Sequence, residues 1–303
     1  MAAMMAQESA AAIGRNTHAR PRAIALATTQ QWAMQRTLQI DGIDIHIDSD
    51  GDGTGEPIVM LHGWPDTWRL WDAQVAHLKA QYRCIRFTQP GFDVHAPRRA
   101  WPLEELLDFY GRVIAQTCPG RKVVLMLHDW GCMFGYQFAM RHPELVAKVV
   151  AIDIGDVGSR THRAELGAKG KLGVFAYQSF LALAWRISGW GAVKLGDRMT
   201  RWMARKLGCK ADPALIGACM NYPYDITWTG SHGSYRAVKR VALSCPLFFA
   251  YGQRKPFMFH SRAWLDQIAA QPGNAVQGYD TGHWVMLRAA QPLNEAVSAW
   301  LAR

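Results

Sequence analysis

Short, unbroken apolar runs set the rhythm of this chain. Ile58-Val59-Met60-Leu61, Cys84-Ile85-Arg86-Phe87, Val123–Leu127 and Val149–Ile152 are separated by helix-like stretches such as Leu103–Gln116 and Met133–Arg141. Runs of that length predict strands of a parallel sheet covered on both faces. Ahead of them, Leu38-Gln39-Ile40 and Ile43-Asp44-Ile45-His46-Ile47 alternate about Asp41-Gly42, which predicts a two-stranded hairpin. The strand pattern breaks off and then resumes with Pro246–Tyr251 and Ala275–Tyr279, followed by an amphipathic helix over Leu293–Leu301. Between the two blocks, residues 157–243 carry Trp, Met and Arg at helical spacings and few strand-like runs. They predict a helical subdomain inserted after the sixth strand.

Composition narrows the picture. The chain has 303 residues, 50% hydrophobic and 19% charged, enough apolar material for a large core and too little charge for bulk disorder. No run approaches a membrane span, since the longest candidate, Leu172–Trp185, is broken by Tyr177, Gln178 and Ser179. Six scattered cysteines form no C-x-x-C pair, which argues against a zinc site or a disulfide scaffold and makes the reduced cytoplasm the expected compartment. The first 36 residues are Ala-rich and acid-poor and lack a secretory apolar segment, so a disordered leader is expected there.

The net charge of +10 is unevenly spread. Residues 157–243 hold 14 basic against 4 acidic side chains, whereas 37–156 with 244–303 hold 16 against 19. A nucleic-acid binder would not divide this way, and nucleic acid is not an expected partner. The basic, Trp-bearing insertion is expected to be a solvated face, with peripheral contact to an anionic membrane as the alternative.

Three motifs end predicted strands, where open parallel sheets build their sites: His62-Gly63-Trp64-Pro65, His128-Asp129-Trp130-Gly131 and Asp280-Thr281-Gly282-His283-Trp284. The second has the form of a nucleophile elbow with Asp in place of Ser, and Gly131 and Gly135 supply the small neighbours that the sharp turn needs. A carboxylate there suits attack on strained or leaving-group-bearing saturated carbon, forming an ester. His283 would activate the water that cleaves this ester, and the backbone N–H groups of Trp64 and Trp130 would hold the oxyanion. His62 and His128 are expected to hydrogen-bond the motif loops. No glycine-rich phosphate loop or metal-ligand cluster is evident, and the reaction needs no cofactor.

On these motifs, residues 37–303 resemble the α/β-hydrolase superfamily, in particular its epoxide hydrolase and haloalkane dehalogenase branch, which uses H-D-W-G. The resemblance implies an α/β-hydrolase fold: a mostly parallel eight-stranded sheet flanked by helices. Its core would comprise 37–156 and 244–303, and the helical cap 157–243. Many relatives place the third triad member after the seventh strand as G-x-x-D-P. Here that stretch reads Gly252-Gln253-Arg254-Lys255-Pro256, and Lys255 is expected to be solvated or paired with an acid. Relatives that move the acid put it at the end of the sixth strand, which implies Asp153, with Asp156 the nearest substitute.

The resemblance also implies cap tyrosines that protonate the departing ring oxygen. Tyr177 and Tyr235 match the family contexts, with Tyr222 and Tyr224 competing. Trp64 in the first motif favours epoxide opening over dehalogenation, where Asn is frequent. The expected partner is a small apolar substrate, and the expected assembly a monomer or homodimer. A non-catalytic binding protein for an apolar ligand is the rival class, argued from Lys255 and the displaced acid.

Overall fold

Alternate residues of each apolar run are buried in two separate clusters. Val59, Leu61, Leu125, Leu127 and Phe249 lie in one, and Ile58, Met60, Val124, Met126 and Phe248 in the other. A strand buried on both faces has no polar side to show, which is why these runs are continuous rather than alternating. The computed structural model of the protein describes residues 33–50 and 53–303. Its strands are β1 (Ala33–Ile40), β2 (Ile43–Asp50), β3 (Glu56–Leu61), β4 (Tyr82–Phe87), β5 (Val123–His128), β6 (Val146–Ile152), β7 (Leu247–Gly252) and β8 (Ala275–Tyr279). They form one sheet in the order β1-β2-β4-β3-β5-β6-β7-β8. Only the β1–β2 and β2–β4 pairs are antiparallel.

The helices are α1 (Asp72–Leu78), α2 (Leu103–Thr117), α3 (Trp130–Arg141), α4 (Arg160–Glu165), α5 (Gly167–Gly189), α6 (Val193–Lys206), α7 (Tyr222–Thr229), α8 (Arg262–Ala269), α9 (Val285–Arg288) and α10 (Ala290–Leu301). The buried residues of α2 and α3 join the first cluster, and those of α1, α9 and α10 join the second, so helices cover both faces of the sheet. Helix α2 shows the cause plainly: Leu103, Leu106, Leu107, Tyr110, Val113, Ile114 and Thr117 are buried at helical spacing. The hairpin turn at Asp41-Gly42 has positive φ at both residues (52° and 76°), which matches the strand twist and suits Asp-Gly.

Helices α4 to α7 all lie between β6 and β7, where the helical insertion is expected. One expectation is corrected: β1 starts at Ala33, so residues 33–36 are strand rather than leader. They pair with Asp50, Ser49, Asp48 and Ile47 of β2. The rest of the expected leader lies outside the described residues. All six cysteines are free. Among the described residues no helix is long and apolar enough to cross a membrane.

Candidate active site

The turn from β5 into α3 puts Asp129 at its apex with φ 53° and ψ −123°. Residues other than glycine seldom adopt this backbone, and they persist there only where the surroundings hold them. Here neighbouring backbones close in. A Cβ on Gly131 would collide with the carbonyl of Leu61, and one on Gly63 would strike the Asp129 carboxylate and the Trp130 nitrogen. Gly135, one turn on, leaves room for Leu127. The glycines are therefore conditions for the bend and not incidental to it.

The Asp129 carboxylate has two different sides. Trp64 N–H donates to Oδ1 at 2.7 Å, and the backbone N–H of Trp130 bonds to the same carboxylate. Oδ2 lies 3.4 Å from His283 Nε2. Across the ring, His283 Nδ1 meets Asp153 Oδ2 at 2.5 Å. Asp153 follows β6 at φ 74° and is fully buried. Its Oδ1 accepts from Gly252 N–H at 2.9 Å and is paired with Lys255 Nζ.

Lys255 is thus neither solvated nor a rival to the acid. Its side chain is 5% exposed, and it reaches from the strand-β7 position to neutralise the acid on β6. Asp156 makes no contact with His283. Its carboxylate is taken up by Ser159, Thr161 and the N–H and hydroxyl of Ser261.

Burial opposes a charge on His283, but hydrogen bonds and attraction from Asp129 and Asp153 outweigh it and raise its pKa to about 9. Burial would likewise raise both carboxylates. His283 holds Asp129 below the usual range, and Lys255 with His283 does the same for Asp153. The motif-loop histidines are neutral, with burial lowering His62 to about 4 and His128 to about 3. His62 donates from Nδ1 to Gly63 O and accepts the Gln89 N–H at Nε2. The Nε2 of His128 lies 3.3 Å from the carbonyl of His283.

A cavity of about 150 Å³ opens over Asp129 and His283, walled by Trp64, Tyr177, Tyr224 and Phe259, with Lys255 on one side. Tyr177 and Tyr224 both sense the Asp129 charge, and burial keeps both phenols protonated. Tyr235, expected to face substrate, is not among the residues that line this cavity. Its ring packs on Trp130 and Phe134, and its hydroxyl is buried without a hydrogen-bond partner. The loop after α7 carries Tyr235 past the side of α3, whereas the first turn of α7 aims Tyr224 inward, edge-on to Trp64 and Trp130. Tyr222 is structural and donates to Pro90 O at 3.1 Å.

Trp64 Nε1 donates to Asn221 Oδ1 at 2.7 Å, and the Trp130 ring meets Tyr224 edge-on at 5.3 Å between centroids. Asn221 Nδ2 in turn donates to Thr200 Oγ1 at 2.7 Å, so the first motif loop is tied to the inserted helices. Among the described residues no cluster of His, Cys, Asp and Glu could hold a metal ion.

The family model described as the alpha/beta hydrolase fold matches residues 56–209, just over half of the chain. The chain belongs to the α/β-hydrolase fold family. Within that family this α/β hydrolase is 30% identical over 130 residues to "Epoxide hydrolase B" of Mycobacterium tuberculosis, an alignment covering 41% of this chain and 36% of that protein. It is 25% identical over 298 residues to "Cis-3-alkyl-4-alkyloxetan-2-one decarboxylase" of Xanthomonas campestris, covering 86% and 93% respectively. The fold matches a Bacillus megaterium epoxide hydrolase with a TM-score of 0.64 at 20% identity, over 88% of this chain and 100% of that one. The alignments to the first curated relatives span 18% to 36% of those proteins' lengths. Two of these relatives bear the names of epoxide hydrolases, the branch that the H-D-W-G motif resembles.

Proposed function

We propose that this α/β hydrolase opens small apolar epoxides to vicinal diols through an ester on Asp129. The observation that carries the reading is the two-sided carboxylate: one oxygen held by the backbone N–H of Trp64, the other beside His283. Asp129 Oδ2 attacks a ring carbon, the carbon–oxygen bond breaks, and the ring oxygen takes a proton from Tyr177 or Tyr224. Esterification removes the negative charge of Asp129, one of the two anions that keep His283 protonated. The imidazolium then gives its proton up to the phenolate that ring opening left, and the neutral imidazole can act as a base. It takes a proton from water, which attacks Cγ of Asp129, and the oxyanion forms on Oδ1 against Trp64 and Trp130 N–H. Collapse breaks the ester bond, the leaving alkoxide takes a proton from His283 to give the diol, and the proton of the restored Asp129 carboxyl returns to His283. Asp153 holds the imidazole in place and stabilises its charged form.

Dehalogenation is the less favoured reading because the indole N–H of Trp64, at the position where dehalogenases often carry Asn, is already committed to Asn221. A second reading is favoured by the nearly full-length alignment to the oxetanone decarboxylase. The same attack on a four-membered cyclic ester would release a carboxylate beside Lys255. Loss of carbon dioxide, with return of the bonding pair to Asp129, would then leave an alkene.

Single turnover in heavy-oxygen water tests the ester directly. The label is expected in the Asp129 side chain, and label passing straight into product would overturn the proposal. An epoxide yielding diol and an oxetanone yielding alkene separate the two readings.

A further inference from the structure

The large hydrophobic side chains that remain exposed are not scattered. Among the described residues, nine of the eleven fall between Leu172 and Trp228, in the inserted helices. Along α5 and at the residue that caps it, Leu172, Phe175, Leu183 and Trp190 recur on one outer face, and Leu172 and Trp190 are 67% and 76% exposed. From Leu172 to Trp190 that face runs about 27 Å. Only Arg186 on it is charged, and Arg186 is paired with Asp225.

Helix α6 packs alongside as the second arm of a hairpin, with Phe180 meeting Trp202 at 5.4 Å between ring centroids. Its buried side is Gly196, Thr200, Met203 and Ala204. On its outer side Leu195 and Trp202 lie between Lys206 on one border and Arg198, Arg205 and Lys194 on the other. Apolar residues at the middle of a helix face with cations along its borders are what an interfacial helix needs, because the cations meet lipid phosphates while the apolar side chains enter the headgroup boundary.

We propose that the outer face of the α5–α6 hairpin docks on an anionic lipid bilayer. Charge complementarity argues for this occupant. The inserted segment carries 14 basic against 4 acidic residues while the remainder of the described protein is slightly acidic. A second copy of the chain, joined through the same patch, would set two strongly basic faces against each other. The docking is independent of the proposed chemistry and is measured without substrate.

The test is co-sedimentation of the full chain with phosphatidylcholine vesicles holding about one-third phosphatidylglycerol, at low and high salt. Binding is expected at low salt, weakening at high salt and on pure phosphatidylcholine. Leu172→Ser with Trp190→Ser, and separately Arg198→Gln with Arg205→Gln, should each lower partitioning roughly ten-fold or more with the melting temperature unchanged. All four sites are exposed, so the fold should survive the changes. Absence of binding to the anionic vesicles overturns the proposal, as does undiminished binding by both variants. A wild-type dimer that the Leu172→Ser, Trp190→Ser variant dissociates would assign the face to a second copy instead.

Discussion

Tyr224 and Tyr235 lie eleven positions apart, but their hydroxyls meet different surroundings. Tyr224 faces the cavity and Asp129, so Tyr224→Phe should slow ring opening by roughly 10²-fold, visible in the single-turnover rate of ester formation. Tyr235→Phe removes a buried hydroxyl that has no partner and should leave turnover unchanged while raising stability by up to ~1 kcal/mol, read from a denaturant midpoint. If both variants lost activity alike, the assignment of Tyr224 would fail. At the same scale, His283→Gln should let the ester form but not hydrolyse, so intact mass should rise by the mass of the substrate. Lys255→Gln keeps a hydrogen-bond donor beside Asp153 but removes the cation. With the acid less neutralised, His283 becomes more basic, and the pH midpoint of ester hydrolysis should move upward. An unmoved midpoint would reduce Lys255 to a packing role.

The elbow sets the limits at the scale of elements. Gly131 has the Leu61 carbonyl where a side chain would begin, so Gly131→Ala must part β3 from α3 or distort the bend. A loss of about 3 kcal/mol or more is expected, together with loss of activity, measured by thermal melting. The elements themselves were readable in advance because local rules decide them. Continuous apolar runs are strands when helices cover both faces, and Asp-Gly turns a hairpin. Asp129 and His283, which the structure brings together, stand in short motifs at strand ends, whereas Asp153 was implied only by the family resemblance. Tyr224 was not singled out, since its aim depends on how α7 and the loop after it pack on α3, a long-range matter that local sequence does not encode. An acid partner for Lys255 was one expectation, but not which acid, because the pair joins side chains 102 positions apart. The four extra residues at the start of β1 were missed because Ala33-Met34-Gln35-Arg36 shows no alternation of apolar and polar positions.

Opposed titrations shape the stability of the whole molecule. His62, His128 and His260 are pushed down to about 4, 3 and 4 by burial. Below pH 6.5 the unfolded chain therefore binds protons that the folded protein refuses, and stability falls as pH falls. Asp66, raised by burial to about 7, works the other way over part of that range, one group against three. His283 is raised to about 9, so its contribution is complete below pH 6.5 and is lost as pH rises through 9. Melting temperature should peak near pH 6.5, and Asp129→Asn, which removes one of the anions holding the His283 proton, should flatten the alkaline side. A melting temperature that climbed steadily to pH 9 would contradict this balance.

The two N–H groups of Trp64 serve different masters: the backbone one steadies the nucleophile's carboxylate, and the indole one is gripped by Asn221, which Thr200 grips in turn. In the proposed reaction that backbone donor is the one ester cleavage needs, so a displacement of α6 passed along these bonds would reach the oxyanion site.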